Sequence, residues 1–267
     1  MSVAVASPER RWRIRVLLAV VVAGVVAVML TPPLRQDPAY HNFADRRALL
    51  GIPYALNVLS NAGFLIVGAW SFIAVARASL PRWERSAGFL FALGLVLTGF
   101  GSAYYHLAPS NATLVWDRLP LAALFPLVFA VAIGDRVSPA AGRALFLPLA
   151  VAGVVSVVWW DVTDDLRPYA LVQFLPLALI PLMLALFPGH RPTRPLLIGV
   201  AIYAGSKLFE VGDGVIFAAG GVISGHTVKH VLAAVAAGFI VRWLAPIAGN
   251  MPRSTSRVFG DASLDRQ

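Results

Sequence analysis

SAGFLFALGLVLTGFGSAYYHL, residues 86–107, decides the fold class. No Asp, Glu, Lys or Arg interrupts it, so as a helix it is apolar on every face, and ~20 such residues cover the hydrocarbon core of a bilayer. Its polar chemistry gathers at the end, where Ser102 and His106 stand four residues apart and therefore on one helix face. Similar runs occupy residues 16–30, 55–76, 115–134, 142–160, 168–187, 195–217 and 226–247. The pattern predicts an all-α integral membrane protein, with a seven-transmembrane-helix core preceded by one extra N-terminal transmembrane helix.

The composition agrees. The 267-residue chain is 58% hydrophobic and 13% charged, against about 45–50% and about 25% in soluble domains. A net charge of +9 would suit a nucleic-acid partner, but Lys207 and Lys229 are the only lysines and the arginines lie in short segments between apolar runs. That distribution is a topology signal, so no nucleic-acid partner is expected, nor is a protein partner. Arg77, Arg82 and Arg85 mark one connection as cytoplasmic, as do Arg136 with Arg143, Arg191 with Arg194, Arg253 with Arg257, and the N-terminal Arg10, Arg11, Arg13 and Arg15. Alternate connections are poorer in Arg; the exception is the first, with Arg35, Arg46 and Arg47. Both termini are therefore expected in the cytoplasm.

Residues 1–31 read as a basic N-terminus and an uncleaved anchor helix, because no small-x-small cleavage site follows the run, although a cleaved signal peptide begins in the same way. Residues 32–248 form the membrane core and residues 249–267 a disordered cytoplasmic tail.

Near the other end of the chain, Ser224-Gly225-His226-Thr227-Val228-Lys229-His230 offers two more imidazoles at a spacing of four, behind residues suited to cap a helix. His106 closes one predicted span and Asp117 opens the next, so a hairpin sets them at similar depth. His226 and His230 open the last span on the same side. Three imidazoles, the Ser102 hydroxyl and the Asp117 carboxylate thus converge near the outer membrane face, where burying them without a common partner is costly. With no Cys, a metal must use imidazole, carboxylate and water. Zn²⁺ suits three neutral nitrogens plus an open position, whereas Mn²⁺ and Fe²⁺ favour more carboxylate.

The Ser-x3-His pair, the Asp in the next helix and the late HxxxH resemble the superfamily that joins alkaline ceramidases, adiponectin-receptor-like and haemolysin III-like membrane proteins. Asn57-Val58-Leu59-Ser60-Asn61, the step from Ser102 to Asp117, and the segment 224–230 look most like the alkaline ceramidase branch, in a bacterial form. The resemblance covers residues 40–244. It implies a zinc held by His106, His226 and His230, with Ser102 and Asp117 assisting hydrolysis of a lipid amide in the bacterial plasma membrane. The chain departs from that branch in residues 40–47, where an acidic calcium-binding stretch is replaced by Asp45 among basic residues. That speaks against a Ca²⁺ site and loosens the tie to ceramide as the N-acyl lipid.

Two other readings stay open: a receptor-like or haemolysin-like protein whose zinc is structural, and a metal or proton transporter. The apolar inner halves of the spans count against the transporter. Elsewhere, Lys207, Glu210 and Asp213 are expected to share one helix face and neutralise one another. Trp116, Trp159 and Trp160 are expected in an interfacial belt. His41 is expected to be solvated, and His190 is given no role.

Overall fold

A computed structural model describes residues 7–246. Residues 1–6 and the predicted tail at 249–267 lie outside them. The described chain runs through α1 (Pro8–Met29), a 3₁₀ turn (Pro38–His41), α2 (Ala55–Leu59), α3 (Ala62–Arg77), α4 (Arg82–Leu107) and α5 (Asn111–Arg136). It continues through α6 (Pro139–Thr163), α7 (Arg167–Leu186), α8 (Thr193–Val211), α9 (Asp213–Gly220) and α10 (Gly225–Leu244). Among the described residues the only β-type pairing is the single bridge Leu49–Ile52. Seven helices are long and apolar enough to cross a membrane, counting α2 and α3 as one span, and the bent pair α8/α9 makes an eighth. This is an all-α membrane protein.

Local sequence explains where the helices start. Ser7, Ser110, Ser138 and Ser224 each accept a hydrogen bond from a first-turn amide, satisfying a donor that the helix leaves unpaired. Ser110 and Thr113 do so reciprocally at the head of α5. Pro120 and Pro126 lie inside α5, as do Pro148 in α6 and Pro176 and Pro181 in α7, without ending those helices. Neighbouring helices make that tolerable in a membrane.

Around the bundle, α3 packs on α4, α4 on α5, α5 on α7, α8 on α10 and α10 back on α3, while α7 barely meets α8. Outside this ring, α6 covers α5 and α7, and α1 lies against α7. Glycines allow the tightest crossings. A Cβ on Gly101 would overlap the carbonyl of Trp116, and one on Gly153 the carbonyl of Ala122. Small residues are what let membrane helices approach this closely.

Two expected spans prove to be broken. The first core span interrupts its helix at Ser60 and Asn61, between α2 and α3. The seventh turns by 71° at Gly212, so Asp213 heads α9 and does not share a face with Lys207 and Glu210 as the spacing predicted.

Both ends of the bundle are pinned by polar contacts. At the end remote from the histidines, the Asp135 carboxylate accepts from the amides of His190 and Arg191 at 3.1 and 3.0 Å, and Arg136 donates to the Arg191 carbonyl at 2.9 Å. Arg191 also pairs with Glu84. Arg136 and Arg191, read from the sequence only as markers of cytoplasmic connections, are buried latch residues. At the histidine end, the segment after α1 is tied to the α6–α7 connection: the Leu34 amide donates to Asp165 at 3.4 Å, the Gln36 amide to Asp164 at 3.1 Å, and Arg167 to the Thr31 carbonyl at 2.7 Å.

Candidate metal centre

The last turn of α4 and the first two turns of α10 meet at one end of the bundle. His106 comes from the first, His226 and His230 from the second, and all three are buried. Ring centroids are 4.9 Å apart for His106–His226, 4.9 Å for His106–His230 and 4.7 Å for His226–His230. One nitrogen from each ring can be chosen so that all three lie within 4.8 Å of one another. Nitrogens bound at about 2.0–2.1 Å to one tetrahedral ion stand roughly 3.4 Å apart, so a small inward movement would suffice.

The donor set bears this out. Both ring nitrogens of His106 and Nε2 of His226 are buried with no hydrogen-bond partner. Unpaired polar atoms in an apolar interior cost about 1–3 kcal/mol each, and a cation between the rings would remove that cost. His230 is prepared differently: its Nδ1 lies 2.8 Å from Ser60 Oγ, whose hydroxyl donates to the Asn57 carbonyl at 3.0 Å. The hydroxyl must therefore accept from Nδ1–H, which leaves the Nε2 lone pair of His230 for the centre. Among the described residues no carboxylate joins this group, so Asp117 stands outside it.

Short α2 packs against both ligand helices and positions α10. Asn57 Oδ1 accepts from Thr227 Oγ1 at 2.7 Å and from Ser224 Oγ at 3.4 Å, fixing the cap of α10, while Ser60 fixes the ring of His230. Sequence reasoning placed Asn57 and Ser60 in a motif but gave neither a task. The available signal was a cluster of polar residues in an otherwise apolar run.

Above the rings, the segment between α1 and α2 folds back over the histidine end. Phe43 is buried, its centroid 4.6 Å from His106 and 4.5 Å from His226. Asp213 holds this cover to the ligand helix, one carboxylate oxygen accepting from the His226 amide at 2.8 Å and the other from the Ala44 amide at 2.9 Å. His41 is a strut and not a solvated side chain. Its Nε2–H donates to Asn111 Oδ1 at 2.9 Å and its Nδ1 accepts from the Tyr105 hydroxyl at 2.8 Å. Asp45 pairs with Arg47 at 2.8 Å, and the Arg47 hydrogen bonds hold its carboxyl below the usual carboxylate range.

Ser102 is buried on α4, one turn from His106, and Asp117 is partly buried near the start of α5. Next to Asp117, the Arg118 guanidinium is buried among Trp160, Tyr169 and Tyr40, 4.2, 5.0 and 5.5 Å from their ring centres, and donates to Gln36 Oε1 at 2.7 Å. Trp160 is consequently buried, whereas Trp116 and Trp159 are exposed as an interfacial belt requires. Glu210 is a hub: it accepts from Lys207 at 2.8 Å, pairs with Lys229 at 2.9 Å and accepts from the Tyr40 hydroxyl at 3.0 Å. Burial first, and the Glu210 charge second, push the Tyr40 phenol well above its ordinary range, so it stays a donor.

Two cavities bear on what the centre can do. One, of about 540 Å³, reaches His226 between the covering segment and the α8–α9 bend, walled by Tyr40, Asn42, Arg46, Glu210 and Asp213. The other, wholly apolar and about 60 Å³, lies deeper, between Phe64, Leu95, Phe125, Ile180, Tyr203 and Ala233. Its volume equals about two water molecules in the liquid, well short of an acyl chain.

No protein-family model matches this sequence, and no curated protein does either. The likeness to alkaline ceramidases rests on the motif residues alone.

Proposed function

We propose that this protein is a membrane-embedded zinc amide hydrolase of the alkaline ceramidase type, cleaving ceramide or a related N-acyl lipid. The observation that carries the reading is the 540 Å³ polar cavity against His226, beside three nitrogens that have no fourth protein ligand. Structural zinc sites are closed by four protein ligands, and catalytic ones keep a position open to water or substrate. His106, His226 and His230 would hold the ion. A zinc bound there would acidify water and polarise an acyl carbonyl.

The chain's own groups supply the rest. Asp117 would take the proton of the attacking water and pass it to the departing amine. Ser102 would donate a hydrogen bond to the carbonyl oxygen as negative charge grows on it. Phe43 limits access of bulk water from above, and Ser60 keeps the His230 lone pair aimed at the centre. The Arg pattern supports an orientation with this end at the outer face of the plasma membrane, where lipid amides sit just below the head groups. A second reading, a receptor-like protein with structural zinc, draws on the narrow 60 Å³ apolar cavity.

The deciding experiment measures zinc content and N-acyl lipid turnover on the same purified samples. Wild type is expected to hold about one zinc per chain and to hydrolyse an N-acyl lipid; His226→Ala and His230→Ala lose both. Asp117→Asn keeps zinc while turnover falls about 10²- to 10⁴-fold. Ser102→Ala keeps zinc with a fall of about 10²- to 10³-fold. A wild type that holds zinc and hydrolyses no N-acyl lipid would establish the receptor-like alternative.

A further inference from the structure

The polar cavity also bears on which lipid enters, and the following rests on the amidase reading above. Glu210 and Asp213 line it, yet neither is free to receive a cation. Lys207, Lys229 and Tyr40 occupy the Glu210 carboxylate, and two backbone amides occupy that of Asp213. Arg46 is the contrast. Its Nε donates to the Phe43 carbonyl at 3.2 Å and one terminal nitrogen reaches Asn42 Oδ1 at 3.4 Å, but among the described residues no carboxylate pairs with it. Its neighbour Arg47 is fully engaged, with Asp45 and with the carbonyls of Gly221 and Val222 at 2.9 and 2.6 Å. Arg46 is the one cation lining the cavity, and its charge has no counter-ion among the described residues.

Size points the same way. A 540 Å³ cavity falls within the usual range for small-molecule sites, about 300–1,000 Å³. The two hydroxyls of a ceramide head would leave much of it unfilled. The planar guanidinium fork matches the oxygens of a phosphate or carboxylate. We infer that the lipid taken by this protein carries an anionic head group, seated in this cavity against Arg46, with its amide below at the histidines. The assignment also gives a task to one of the arginines that break the charge asymmetry of the connections.

The test uses the full chain in phosphatidylcholine nanodiscs with zinc chelated, so that binding is read without turnover. Ceramide and ceramide 1-phosphate are titrated against wild type, Arg46→Gln and Arg46→Lys. Wild type is expected to bind ceramide 1-phosphate about tenfold more tightly than ceramide, the effect of one charge-assisted contact at a partly exposed site. Arg46→Gln should erase the preference without changing ceramide binding, and Arg46→Lys should keep part of it. Equal binding of the two lipids by wild type, or a preference that survives in Arg46→Gln, overturns the inference. Inorganic phosphate competing as well as ceramide 1-phosphate overturns it too, by showing a free-anion site. Helical content and zinc uptake of Arg46→Gln establish that it folds. Restoring zinc separates the two claims: a preference without any hydrolysis leaves the head-group assignment standing and removes the amidase, whereas hydrolysis without preference does the reverse.

Discussion

Both ring nitrogens of His106 are buried without a hydrogen-bond partner, whereas Ser60 holds one ring nitrogen of His230. Groups that orient a ligand ring from behind typically contribute 10–100-fold in metal affinity. Ser60→Ala is therefore expected to weaken zinc binding about 10- to 100-fold, read by competition with a chelator, while the helical content stays that of wild type. Ser60→Thr, which keeps the hydroxyl, should restore much of the loss; an unchanged affinity in Ser60→Ala would mean the contact is incidental. His226 and His230 were legible as a pair because a spacing of four puts side chains on one helix face whatever the tertiary structure, and His106 because it closes its span on the side where they open theirs. Ser60 was not, because its task depends on α2 packing against α4 and α10. Phe43 and the Arg118 cage were illegible for a similar reason: each is made by the path of a connection, which hydropathy does not encode.

At the scale of elements, apolar runs located every span but not its breaks. Gly212-Asp213-Gly214 is a breaker signal that span-length hydropathy averages over, and the 71° turn there is held by Asp213 bonding to both the covering segment and α10. The contact between α4 and α5 was equally hidden in one glycine. Because a Cβ on Gly101 would overlap the Trp116 carbonyl, Gly101→Ala must push the two helices apart, at a cost of about 1–3 kcal/mol for overpacking. Gly205→Ala is the control: its Cβ would meet nothing within 4 Å. Denaturant unfolding should separate the two variants, with Gly101→Ala clearly destabilised and Gly205→Ala near wild type. Since Gly101 adjoins Ser102 and Trp116 adjoins Asp117, the same variant should also lower turnover.

For the molecule as a whole, the arginine count predicts orientation, and the fold changes how that count is read. Arg136 and Arg191 are locked into a buried network with Asp135 and Glu84, which leaves the N-terminal Arg10, Arg11, Arg13 and Arg15 with Arg77, Arg82, Arg85, Arg143 and Arg194 to carry the asymmetry at that end. Reporters fused after Arg82, Arg143 or Arg194 are expected to read cytoplasmic, and those after Asn111 or Asp164 external; the opposite result would move the histidine centre to the inner leaflet. One further consequence follows from where the three histidines sit along the chain. His106 belongs to α4, but the other two belong to α10, the last helix described. A chain being inserted from its N-terminus carries a single imidazole of the centre through five intervening helices, and gains the other two only when α10 enters the membrane. With a metal in this site, as proposed, its capture would be a late event in biosynthesis: a chain that stalls early would have no site to load, and metal occupancy would report whether the bundle was completed through α10.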